Sequence, residues 1–140
     1  MSPLTWIAAA AISLLPSSST LVDPTEVDFA TLSGFDFKQG MDLPSEITAY
    51  NGTEIKVSGF MATEDGSPGP VSEFLLINDA CGCEGTPKIN EVIFCYMADG
   101  SQVEIDPGVV SVTGTLDVGE EVDYGVVLSL YRMEVTQIDT

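Results

Sequence analysis

The chain has 140 residues, 44% of them hydrophobic, which suits one domain with a real core. Its 22 acidic residues against 4 basic ones give a net charge of -18; such a surface repels phosphate backbones and anionic lipids, so nucleic acid is excluded as a partner. There is no histidine, which excludes Ser-His-Asp and Cys-His catalysis and removes the commonest general base and metal ligand.

The first element is the apolar run Leu4–Leu15. As a helix its ~12 residues would span roughly 18 Å, short of the ~30 Å hydrocarbon core of a bilayer. The length predicts a signal-peptide core, ended by Pro16 and followed by small residues, with cleavage after Ser19. Residues 1–19 are then the signal peptide, and the protein is secreted or periplasmic with no stable membrane anchor after cleavage. The segment before the run has no Lys or Arg, which departs from the usual pattern.

Residues 20–52 read as an N-terminal arm. Phe29, Leu32, Phe35 and Phe37, separated by turn residues, predict an extended arm or short helical turn on the domain edge. Ser45 is placed to cap a second short helical turn that Gly52 stops. Asn51-Gly52-Thr53 matches a glycosylation sequon but reads better as an Asn-Gly turn.

From residue 53 to 140 the pattern is β. The predicted strands are Glu54–Ala62, Val71–Asn78, Glu91–Ala98, Val109–Val118 and Gly125–Ile138, with Gly119–Tyr124 as an acidic hairpin loop. In the fourth strand Val110, Val112, Leu116 and Val118 point one way, and Ser111, Thr113, Thr115 and Asp117 the other. The third strand is a continuous apolar run, which implies burial on both faces or an arm lying over one. In the last strand the apolar phase passes from Val126, Leu128 and Leu130 to Tyr131, Met133 and Val135. A one-residue slip exchanges the faces, so a bulge or sharp coil is expected near Leu130. Gly59 and Gly114 interrupt strands as at barrel corners.

Five strands, corner glycines and little helix predict an all-β fold: a small five-stranded Greek-key barrel, OB-like, with the arm attached. An immunoglobulin-like β-sandwich is the alternative. Val110, Val112, Leu116, Ile55, Val57 and Leu76 are expected in one core.

Several stretches, in order, resemble a family of exported bacterial proteins of unknown function. They are LPSEITAYNGTEIKVSGFM (Leu43–Met61), VSEFLLI (Val71–Ile77), Cys81, and PKINEVIF (Pro87–Phe94), with looser agreement at VSVTGTL and the final strand. The resemblance covers about residues 27 to 138. Some members carry Cys-x-His in the loop; Cys81 matches that cysteine and Asn90 a later asparagine, while Cys83 falls where those members have His. Most of the loop prolines of those members are missing here. The resemblance implies export and a small β domain, and no established reaction.

The loop DACGCEGTPKIN (Asp79–Asn90) is where chemistry is expected. Cys81 and Cys83 could hold Cu or Zn, with Asp79 and Glu84 adding oxygens. They could instead pair with each other or with Cys95, since an exported chain meets an oxidising compartment. The third reading is a turn only. Cys95, in the third strand, reads as a small buried hydrophobe. No catalytic constellation is recognisable. The reading is therefore an exported acidic binding module with a cation or an exported protein as partner. The alternative is a thiol-disulfide redox protein using Cys81 and Cys83, against which stands the lack of nearby cations other than Lys88.

Overall fold

A computed structural model describes residues 23–66, 68–78 and 87–140. The strands in chain order are β1 (Thr25–Glu26), β2 (Glu54–Ala62), β3 (Glu73–Ile77), β4 (Val92–Met97), β5 (Val109–Asp123) and β6 (Val126–Asp139). Two short helices, α1 (Phe29–Leu32) and α2 (Ser45–Thr48), precede β2, and a 3-10 turn at Ile89–Glu91 precedes β4.

β2 is the corner strand. Its side chains alternate in burial, as a half-buried strand requires, with Ile55, Val57 and Met61 inward. Glu54 to Phe60 pair with β5, and Phe60 to Ala62 pair with β3. The order is β2-β3-β4-β6-β5, and the β2–β5 pairing closes it into a barrel. β4 and β6 run parallel; the other barrel pairs are antiparallel. This is the OB-type Greek-key barrel. The sandwich alternative is overturned by that closure, because a sandwich needs two sheets and β2 belongs to both sides at once.

Gly59 and Gly114 have the same reason to be glycine: a close approach of other atoms. A Cβ on Gly59 would stand 2.7 Å from the Ile77 carbonyl and 2.9 Å from the Phe29 ring. A Cβ on Gly114 would collide with the carbonyl of Glu134, at a register shift between β5 and β6.

The core holds the six expected residues, Ile55, Val57, Leu76, Val110, Val112 and Leu116, all buried. It also holds the arm. Val27 donates its N–H to the Lys56 carbonyl at 3.0 Å, and Asp28 caps α1 by accepting from the Thr31 N–H at 2.9 Å. That cap turns Phe29 and Leu32 into the barrel, where both are buried. The arm thus sets β1 beside β2 at the sheet edge and adds Val27, Phe29 and Leu32 to the core.

Four further expectations are corrected. Ser45 is the first residue of α2 and makes no cap; Pro44 holds the cap position with no side-chain hydrogen bond. The second strand is shorter than Val71–Asn78, and Val71 forms a separate bridge with Val103. Gly119–Tyr124 is not a loop: β5 runs on to Asp123, and the turn is Tyr124-Gly125, both with positive φ. Thr113, expected outside, is buried, because Lys56 and Gln137 flank it in the register of β2 and β6. Asn51 is used structurally, its Oδ1 accepting from the Val118 N–H at 2.8 Å, while Gly52 takes a positive φ as in an Asn-Gly turn.

Candidate functional site

Of the residues expected to carry chemistry, Asp79, Cys81, Cys83 and Glu84 lie outside the described residues, as do residues 1–19. Cys95 is described. It is a free thiol, buried, whose Sγ–H donates to the Ile93 carbonyl at 3.6 Å. Burial pushes its pKa far above the usual thiol range, so it stays protonated and inert. Among the described residues, no group of three or more Cys, Asp or Glu is placed to hold a metal ion.

The structure places a groove of about 800 Å³ elsewhere. Its floor is the β3–β4 pair, with Leu75 and Phe94 cross-strand partners and Glu73 opposite Tyr96. The connection after β2 forms one wall with Thr63, Glu64, Asp65 and Val71. The far part of the β5–β6 hairpin forms the other, with Glu121, Leu128 and Ser129. Tyr96 is 41% exposed and Leu128 47% exposed.

The hairpin wall exists because β5 and β6 continue past the barrel. Val118 pairs with Tyr131, but the next pair is Glu121 with Ser129, so β5 carries an extra residue opposite Leu130. This is the irregularity the phase change predicts, and it leaves Leu130 and Tyr131 buried while Leu128 is exposed. Arg132 fastens the bulge. Its Nε donates to Asp117 Oδ2 at 3.0 Å, Nη1 to Ser129 Oγ at 2.6 Å, and Nη2 to the Gly119 carbonyl at 3.1 Å. Glu121 approaches the same guanidinium at 3.9 Å. The 38–41 segment braces the hairpin from outside, with the Gly40 N–H donating to the Glu120 carboxylate at 3.0 Å and Gln39 to the Gly125 carbonyl at 3.2 Å.

Four carboxylates line the groove against one guanidinium, and that guanidinium is already committed on all three nitrogens. The groove therefore offers apolar and aromatic contact plus negative charge. Sequence reasoning missed it because its parts come from four separate segments and because Gly119–Tyr124 reads as loop. The one available signal was Arg132, a lone cation in the final strand two residues beyond the phase change.

The closed five-stranded barrel carries this groove across its second and third barrel strands, between the connection after β2 and the β5–β6 hairpin. The chain belongs to the DUF3299 family, described as proteins of unknown function, whose model matches residues 22–140. A crystal structure of a DUF3299 family protein from Pseudomonas aeruginosa PAO1 is similar to it, at 22% identity and a TM-score of 0.55, covering 84% of this chain and 96% of that one. That likeness is one of fold. A putative aspartyl-tRNA synthetase from Leishmania major Friedlin shows 10% identity and a TM-score of 0.45, covering 91% of this chain and 22% of that one. No curated protein matches the chain.

Proposed function

We propose that this protein is an exported, non-catalytic binding module that takes its ligand in the groove between the 63–72 connection, the β3–β4 face and the β5–β6 hairpin. The observation that carries this reading is the groove's position: OB-type barrels hold ligands on that strand face between those two connections. Its size is that of a cleft for a drug-sized molecule or short chain, typically about 300–1,000 Å³. The test is chemical-shift mapping of the purified protein against a panel of peptides, oligosaccharides and oligonucleotides. Shifts gathered on β3, β4 and the hairpin support the reading. Ligands that all map to another face overturn it. Export is tested by the mass of the protein recovered outside the cytoplasm, which should lack residues 1–19 and therefore Trp6, the sole tryptophan.

A second reading rests on the sequence Cys81-Gly82-Cys83. Two thiolates one residue apart form a donor pair for Cu(I) or Zn²⁺, with Asp79 and Glu84 as neighbouring oxygens. Metal titration of the reduced protein tests it. Uptake that Cys81→Ser and Cys83→Ser each abolish, and that weakens as pH falls and the thiols protonate, supports metal binding. A native mass 2 Da lower, restored by reductant, supports the redox alternative, because a disulfide lacks the two thiol hydrogens. No uptake, with both thiols free, leaves a turn.

A further inference from the structure

The groove's chemistry selects its ligand, a step that rests on the binding-module reading above. A groove built for an anion would present free donors. Here the only guanidinium gives its three nitrogens to Asp117, Ser129 and Gly119. The chain's net charge of -18 raises the local concentration of cations and repels anions over the same surface. Apart from Glu73 the floor is apolar and aromatic and runs along two strands, which a bare metal ion would not use. We propose that the groove takes an extended cationic peptide segment, its lysine or arginine side chains against Glu64, Glu73 and Tyr96 and its apolar side chains against Leu75, Phe94 and Leu128. Tyr96, opposite Glu73 in the register and partly exposed, sets an aromatic ring beside a carboxylate, a pairing that suits a cation. An extended segment alternates its side chains between two faces, so one face can lay apolar groups on Leu75, Phe94 and Leu128 while the other carries charge to Glu64 in the wall and to Glu73, beside Tyr96, at the start of β3.

The probes are three capped heptapeptides: alternating Lys and Leu, alternating Glu and Leu, and alternating Lys and Ser. Each is titrated into the purified protein at low salt with amide shifts as readout. The Lys–Leu peptide should shift β3, β4 and the hairpin, and the Lys–Ser peptide should bind at least tenfold more weakly. Joint Glu64→Gln and Glu73→Gln replacement should weaken Lys–Leu binding at least tenfold, and so should Leu128→Lys, an exposed position where folding is not at stake. Joint Asp42→Asn and Glu46→Gln replacement removes the same charge away from the groove and should change affinity less than twofold. If that control loses as much affinity as the groove pair, attraction is diffuse and the proposal fails. If the Glu–Leu peptide occupies the groove equally well, the charge selection is wrong while the binding groove stands. If no peptide shifts the groove and the wider panel maps elsewhere, both readings fail.

Discussion

The hydroxyl of Tyr131 donates to the carbonyl of Leu32 at 2.6 Å, joining the last barrel strand to α1 across 99 positions of sequence. Both residues are buried. The carbonyl is a C-terminal group of a four-residue helix and has no turn after it to accept from. Tyr131→Phe keeps the ring and removes the donor, so a buried acceptor is left unpaired. The expected loss is about 1–3 kcal/mol in denaturant unfolding, with the midpoint lowered and the slope unchanged. A loss near zero would mean that water reaches the Leu32 carbonyl and that the arm is only loosely seated.

Alkaline stability reports on the two buried acids. Burial raises the pKa of both Tyr131 and Cys95. A raised folded-state pKa in a group that is neutral when protonated means the native state holds the proton more tightly than the unfolded chain. Its stabilisation is complete below the unfolded pKa and declines as pH rises above it. The decline should begin above about pH 8.5 for Cys95 and above about pH 10 for Tyr131, the ordinary values for the two groups. Thermal midpoints of Cys95→Ala should fall less steeply between pH 9 and 10 than those of the parent chain, whatever the constant cost of the smaller side chain. Parallel curves would show that Cys95 is not the group responsible.

Gly114 tests the close approach of β5 and β6. A methyl group there meets the Glu134 carbonyl, which is held in a strand and cannot swing aside. Gly114→Ala should destabilise by about 1–3 kcal/mol through overpacking. Gly114 sits on the buried side of a register shift, so the compensating movement would have to pass through the ladder. Equal stability of the variant would mean the two strands separate freely at this corner.

The barrel was legible because its strands obey simple periods. Val110, Val112 and Leu116 alternate with polar residues, and that alternation alone puts them in the core. The phase change at Leu130 likewise announced a bulge, since a period of two leaves no other way to move apolar residues to the opposite face. Thr113 was misplaced because its burial comes from the side chains beside it in two other strands, which one strand's pattern does not record. The end of β5 was misplaced for a related reason. Glu120, Glu121 and Asp123 look like loop composition, yet a two-stranded ribbon extending past the barrel is solvated on both faces and tolerates charge. The groove draws on the β5–β6 ribbon, on β3 and β4 and on the connection after β2, so it could not be read from any one segment. The cysteine loop is conspicuous in the sequence because its residue types are rare, and it lies outside the described residues.

Arg132 should control the shape of the hairpin wall. Its guanidinium joins Asp117 and Gly119 of β5 to Ser129 of β6, so it bridges the two strands where their register is broken. Planarity matters here, since three acceptors in different directions are met by one rigid fork, and an ammonium is a compact point charge with a different geometry. Arg132→Lys keeps the charge yet should lose the span. Amide hydrogen exchange of Gly119–Ser129 should then quicken, while exchange at Val110, Val112 and Ile55 in the barrel stays as it was, because the hairpin lies beyond the closed part of the sheet. The side chain is only partly buried, so the change in global stability should stay within about 1 kcal/mol. Asp117→Asn keeps an acceptor for Nε and should reproduce a smaller part of the effect. Uniform acceleration across the barrel would show that Arg132 supports the whole fold, and no acceleration anywhere would show that the bulge holds its shape without it.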